Sequence, residues 1–191
     1  LLICACVSEA GTDILHPQVD ATKTTGGWLL NGRKIFATMS PAAQLLDISF
    51  RFRDARGVER LAMASIPRDN PGLEIKHTWD ALGMRGSGSH DVTLSNCVLP
   101  DAALLDLGVW GEWSEAYLTG NLIIATGLVG VFLGIAEAAR DLGVEAVRTR
   151  RKGPSGRMLA ERYPIQHLIA EIEIDLAASR AILGRTAMTA D

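Results

Sequence analysis

From Ala116 to Ala136 the chain carries no charged side chain. A run of that length must leave water, either for a bilayer or for a protein interior. It contains Thr119, Gly120, Asn121, Thr126, Gly127, Gly130 and Gly134, and Glu112, Glu115, Glu137 and Arg140 flank it without a basic anchor on one side. A membrane span carries such an anchor. The run therefore reads as a buried helix, whose Gly127, Gly130 and Gly134 let neighbouring helices approach closely, and no membrane is expected as a partner.

The chain changes character just before this run. Up to about Pro100 it shows short β patterns punctuated by Gly26-Gly27, Asn31-Gly32, Asp54 to Gly57 and Asn70-Pro71-Gly72. Beyond Trp110 three- and four-residue apolar steps take over, with one helix from about Trp113 to Arg150 and another from Pro164 onward. The expected class is α+β, with a β unit over residues 1–105, packed as a meander or barrel, and a helical unit over 106–191. The start at Leu1 without Met and the end at Asp191 inside a helical pattern suggest a piece of a longer protein.

Charge sets limits on partners. Lys and Arg number 19 against 22 Asp and Glu, so 19 − 22 leaves −3 over 191 residues, with no basic excess for nucleic acid. With 48% hydrophobic residues the chain can build a core without staples. Cys4, Cys6 and Cys97 are odd in number and lack metal-ligand spacing. They read as buried thiols, Cys4 and Cys6 on one face of a strand, in a reducing, cytoplasmic compartment.

Three segments could carry chemistry. Ser8 to Asp13 follows a strand and breaks it with Gly11, which suits either a plain turn or a backbone rim that holds a polar ligand edge. Leu30 to Thr38 reads as a tight Asn31-Gly32 turn between two strands, after which Phe36 and Thr38 share a face. An aromatic ring two residues from a hydroxyl could stack on a flat ligand and bond its edge, or be core beside a surface threonine. Trp79 to Val92 reads as a loop, and because a strand rather than a helix follows it, phosphate cradling is discounted. His90 and Asp91, adjacent on an extended chain, face opposite ways and read as solvated residues rather than an acid/base pair.

Taken in this order, the segments resemble the acyl-CoA dehydrogenase family of flavoproteins over nearly the whole chain. That family's middle domain opens with (Ser/Thr)-Glu-Pro-Gly-Ala-Gly-Ser-Asp, where this chain has Ser8 to Asp13. It continues with Leu-Asn-Gly-x-Lys-x-(Trp/Phe)-x-Thr, here Leu30 to Thr38. A Leu-Gly-x-Arg-like loop and a strand ending Val-x-Val-Pro match Leu82 to Ser89 and Val98-Leu99-Pro100. Gly127 to Gly130, Arg148 to Arg151, and Gln166 before Ala170-Glu171 resemble the start of its C-terminal helical bundle.

The resemblance implies FAD as cofactor. The Val7 backbone and Ser8 hydroxyl would meet the flavin's pyrimidine edge, Gly11 and Thr12 would lie along its polar chain, Phe36 would stack on the ring system and Thr38 would bond near N5. One of Arg148, Arg150 and Arg151, taken as Arg150, would reach the pyrophosphate of a neighbouring subunit's FAD, although the following loop departs from the family's Arg-x-x-Phe-Gly pattern. The first motif is two residues short between Glu9 and Asp13.

The implied reaction is α,β-dehydrogenation of an acyl-CoA thioester in fatty acid metabolism, with hydride transfer to flavin N5 and electrons passed to an electron-transferring flavoprotein. The usual glutamate base falls beyond the chain end. Gly120 stands where some members keep a glutamate and Asn121 where many keep an arginine, which suits the alternative of a flavin-dependent monooxygenase fed by a flavin reductase and O2. A third alternative is a non-enzymatic remnant that contributes to assembly. A homotetramer or homodimer is implied by the family in each case.

Overall fold

The computed structural model describes residues 1–154 and 156–189, so the expected continuation of the last helix through Asp191 lies outside the described residues. The strands are β1 (Ile3–Cys6), β2 (Asp20–Thr24), β3 (Gly27–Ala37), β4 (Leu45–Arg53), β5 (Glu59–Pro67), β6 (Leu73–Lys76), β7 (His90–Pro100) and β8 (Leu105–Val109). Two helices follow, α1 (Glu115–Thr149) and α2 (Tyr163–Thr189). The sheet-rich part followed by helices is the α+β arrangement that the periodicities predict.

The chain divides into two compact units, Leu1–Tyr117 and Leu118–Asp191. The sheet unit extends past residue 105 because β8 pairs with β5, from Met63↔Leu105 to Arg60↔Val109. Its eight strands run β6-β7-β3-β2-β4-β5-β8, with β1 added on β4. Of the expected meander or barrel, the strand order shows a mixed sheet in which sequence neighbours are often not spatial neighbours. Local hairpins exist, as in β2–β3 with its two-residue Thr25-Gly26 link and Gly26 at φ +87°. The pairing of β3 with β7 and the parallel pairing of β2 with β4 are long-range.

One edge of β4 creates the loop that matters most. Its first half pairs with β1, up to Cys6↔Ile48, and its second half with β2, from Asp20↔Arg51. The chain thus leaves this edge at Cys6 and rejoins it a few positions along β4, so residues 7–19 are extruded as a loop over the gap.

The core of this unit is a single cluster that includes Cys4, Cys6, Leu30, Leu46, Ile48, Phe50, Ala64, Ile66, Val92 and Leu99. All three cysteines are free and buried, as expected. In the helical unit α1 and α2 are tied by ion pairs from Arg140 to Glu173 and from Arg180 to Glu137.

The expectation of a buried first helix is not met within this chain. In α1 Ile123 is 67% and Phe132 62% exposed, and none of its most apolar window is buried. The helix is long and apolar enough to cross a bilayer by length and composition. Its apolar side chains outnumber the surface that this chain offers them.

Candidate functional site

The three segments singled out in the sequence meet in the sheet unit. The Ile35 N–H donates to the Ser8 carbonyl at 3.0 Å, which joins the loop after β1 to the end of β3. The Met39 N–H donates to the Ser87 carbonyl at 2.8 Å, and the Thr38 and Ser89 hydroxyls lie 3.0 Å apart, which joins the end of β3 to the loop before β7. Ser87 Oγ continues this hydroxyl chain 2.7 Å from Ser89 Oγ.

Phe36 faces outward, but not through strand alternation. Lys34 is fully buried, and simple alternation would bury Phe36 with it. Instead Phe36 adopts φ +56°, the β3–β7 register slips between Lys34 and Ala37, and Ala37 takes the inward place. The ring is 58% exposed, and the Trp79 indole meets it edge-on at 6.2 Å. A left-handed conformation at a bulky residue costs about 1–3 kcal/mol and persists only where its surroundings hold it. Met39 at φ +63° and Met84 at φ +50° share that conformation in the same two segments.

Asn31-Gly32 is likewise not a turn. β3 runs straight through it with a bulge opposite β7, Gly32 at φ +148°. A Cβ there would lie 2.7 Å from Val19 Cγ2, so the glycine lets the end of the 7–19 loop settle on β3.

Beneath this edge lies a buried ion pair. Lys34 Nζ donates to Glu9 Oε1 at 2.6 Å and to Ser49 Oγ at 3.0 Å. The Lys34 side chain is fully buried and that of Glu9 5% exposed. Glu9 also accepts from the Gln18 N–H at 2.7 Å and the Val19 N–H at 3.2 Å. Burial pulls the Lys34 ammonium below the ordinary lysine range, and Glu9 opposes that shift.

At the far side of the loop the Thr12 hydroxyl donates to the His16 carbonyl at 2.7 Å, so its proton is already engaged. Asp13 accepts from the Leu15 and His16 N–H groups and pairs with His16 Nδ1 at 2.8 Å, which holds its carboxyl below the usual range. The Trp110 ring meets His16 edge-on at 4.5 Å, and its Nε1–H donates to the Pro17 carbonyl.

Val7, Ser8, Gly11, Thr12, Phe36 and Thr38 all belong to this unit. Among the described residues the half-buried Ser8 hydroxyl has no partner, and a Cβ on Gly11 would meet nothing within 4 Å. Arg150 belongs to the helical unit, one residue past α1, exposed, with its carbonyl bonded by the Leu159 N–H. His90 and Asp91 are strand residues rather than solvated loop: His90 Nδ1 accepts from the Trp79 N–H at 2.9 Å, and Asp91 is buried with Arg33 as partner. Sequence reasoning assigned no role to Glu9, Lys34, Trp79 or Ser89. A glutamate and a lysine placed in the same two motifs as Ser8 and Phe36 were the available signal.

Residues 4–97 match the model of the acyl-CoA dehydrogenase middle domain and residues 126–191 that of the acyl-CoA dehydrogenase C-terminal domain. The chain belongs to the acyl-CoA dehydrogenase family. It is 37% identical over 153 residues to an amino sugar nitrososynthase, RubN8, of Streptomyces rubradiris, covering 80% of this chain and 36% of that protein. Mitochondrial isovaleryl-CoA dehydrogenase of Oryza sativa is 29% identical over 187 residues, 96% of this chain and 44% of the relative. Among solved structures, KijD3 in complex with FMN and dTDP-3-amino-2,3,6-trideoxy-4-keto-3-methyl-D-glucose superposes with a TM-score of 0.81 at 29% identity, over 98% of this chain and 45% of that one. The chain spans about two-fifths of the length of such relatives. Acyl-CoA dehydrogenase family members are flavin-dependent.

The residues present fit a flavin. An outward aromatic face, a hydroxyl two residues on and a serine hydroxyl without a partner among the described residues lie along one connected edge. That set can stack on a flat heterocycle while it bonds the polar rim.

Proposed function

We propose that the full-length protein is a flavin-dependent monooxygenase that oxidises the amine nitrogen of a nucleotide-linked amino sugar. The observation that carries this is the 37% identity to an amino sugar nitrososynthase, against 29% to isovaleryl-CoA dehydrogenase. The fold agrees with both, so chemistry rests on the site and its relatives. Gly120 and Asn121 in α1 are consistent with it, since neither supplies the carboxylate or the guanidinium used for acyl-CoA.

In this reading Phe36 offers its exposed face to the flavin ring, Thr38 bonds near N5, and Val7 and Ser8 bond the pyrimidine edge. Gly11 and Thr12 flank the cofactor's polar chain, Thr12 through its backbone and lone pairs because its proton is spent on His16. Arg150 is the candidate for a pyrophosphate across a subunit boundary. The bound reduced flavin, FMN or FAD, supplies the electrons by which one atom of O2 enters the amine as a hydroxylamine and the other leaves as water. A flavin reductase is then the electron-supplying partner, in a cytoplasmic homotetramer or homodimer without membrane contact.

The second reading is dehydrogenation of an acyl-CoA in fatty acid metabolism, with an electron-transferring flavoprotein as acceptor; the isovaleryl-CoA dehydrogenase relative supports it. The two separate in one experiment on the full-length flavoprotein. A dTDP-amino sugar that gains one oxygen atom in the presence of reduced flavin and O2, with no anaerobic bleaching by acyl-CoA thioesters, is the expected result. Bleaching by a thioester would reverse it.

A further inference from the structure

We infer that the buried Glu9–Lys34 pair is a positioning device that holds the pyrimidine-edge loop and the ring-stacking phenylalanine in register; this rests on the flavin reading above. Glu9 directly follows Ser8, and Lys34 lies two residues before Phe36. The pair therefore joins the two segments whose groups must meet opposite parts of one rigid heterocycle.

Its geometry closes the loop at its base. One carboxylate takes Lys34 from β3 and the Gln18 and Val19 N–H groups from the loop's far end, so residues 9, 18–19 and 34 meet at a single group. Ser49 Oγ anchors the ammonium from the gap in β4 between the β1 and β2 pairings. Above it, the Ile35 to Ser8 backbone bond sets the same spacing at the surface.

Energetics point to position rather than stability. Withdrawing two charges from water roughly cancels their attraction, and apolar or neutral replacements of such pairs are often as stable, whereas losing one partner strands the other charge. A pair that brings little net stability, yet is hydrogen-bonded to Ser49, Gln18 and Val19 as well as within itself, fixes where its two segments sit. A local device of this kind also suits a loop two residues shorter than the family's common form, which has less chain with which to bracket the cofactor.

The test uses the full-length protein and titrations with FMN and with FAD, read by flavin fluorescence and the fine structure of the visible band. If the wild type binds neither flavin, the functional reading itself fails. Given binding, Lys34→Met alone should lower the Tm and weaken flavin binding at least about tenfold, a factor equal to about 1.4 kcal/mol. The neutral double variant Glu9→Gln/Lys34→Met strands no charge, and its one amide oxygen can keep the Gln18 N–H bond while the Val19 bond to the other position is lost; it should regain part of the Tm but keep the weakened affinity and an altered visible band. Leu61→Ala, a buried change on β5, serves as control for lost stability alone and should leave affinity and spectrum unchanged below its own Tm. Wild-type affinity and spectrum in the double variant, or the same affinity loss in Leu61→Ala, would overturn the inference.

Discussion

Two phenylalanines summarise the contrast between the two units. Phe50 in β4 is fully buried in a cluster drawn from most strands of the sheet, whereas Phe132 in α1 is 62% exposed. In α2 only Leu176 is buried. Grooves of about 290 and 330 Å³ lie between the helices, one lined by Val144, Val147, Ile165 and Ile169, the other by Leu122, Val129, Ile182 and Leu183. The sheet unit builds a core within this chain, whereas the helical unit buries almost none of its apolar side chains. Hydrophobic periodicity establishes that a face will be covered, and is silent on which molecule covers it.

The sharpest way to break this contrast is the same truncation in both places. Phe50→Ala in the 191-residue chain should cost about 3–5 kcal/mol in a denaturant melt, while Phe132→Ala should stay within about 0.5 kcal/mol. An equal loss at both positions would show that the helices possess a core of their own.

Glycines provide the next test. Gly32→Ala drives a Cβ to 2.7 Å from Val19 Cγ2 at a left-handed φ and should destabilise the sheet unit by about 1–3 kcal/mol. Gly130→Ala meets nothing within 4 Å and should raise helix stability in this chain by about 0.5–1 kcal/mol, followed by circular dichroism on heating.

A subtler effect belongs to the strained rim of the sheet unit. Phe36→Gly removes the left-handed penalty but adds backbone entropy, so stability should change by less than about 1 kcal/mol. Flavin affinity of the full-length protein should nonetheless drop about tenfold through the lost ring contact. A large loss of stability with unchanged affinity would make Phe36 a packing residue.

Smallest is the acid limb. The His16 partnership and backbone N–H bonds hold Asp13 below its ordinary value, so its stabilising effect is complete above the unfolded carboxylate pKa near 3.9 and is lost as pH falls through the lower folded value. Asp13→Asn should flatten the melting temperature of the sheet unit below about pH 4 and leave the helical unit's signal unaltered.

Much of this was legible from residue order. α1 begins and ends within two residues of the span expected from its three- and four-residue apolar steps, and Pro164 stands in the first turn of α2. Cys4 and Cys6 lie on one buried face, their sulfurs 3.5 Å apart. Two strands escaped notice for a chemical reason: β2, Asp-Ala-Thr-Lys-Thr, buries only Ala21 and shows no apolar alternation, while β8 alternates Leu105, Leu107 and Val109 with Asp106 and Gly108 but is only five residues long and buries none of them. Both are strands because β3, β4 and β5 offer them hydrogen-bonding edges.

The candidate site divides along the same line. Its residue types and the order of its segments are covalent facts, and they sufficed to place Ser8, Phe36 and Thr38 in one family pattern. Whether Phe36 faces in or out depends on a left-handed φ and a register slip that no alternation rule contains. Lysine is among the residues least often fully buried, and nothing in its immediate neighbours predicts that Lys34 finds Glu9, Ser49 and the loop base within reach. Local sequence sets periodicity and turn chemistry because those act between residues a few positions apart. The burial of a charge and the direction of a ring are set by groups distant along the chain, and they exist only once β3, β4 and the 7–19 loop have come together.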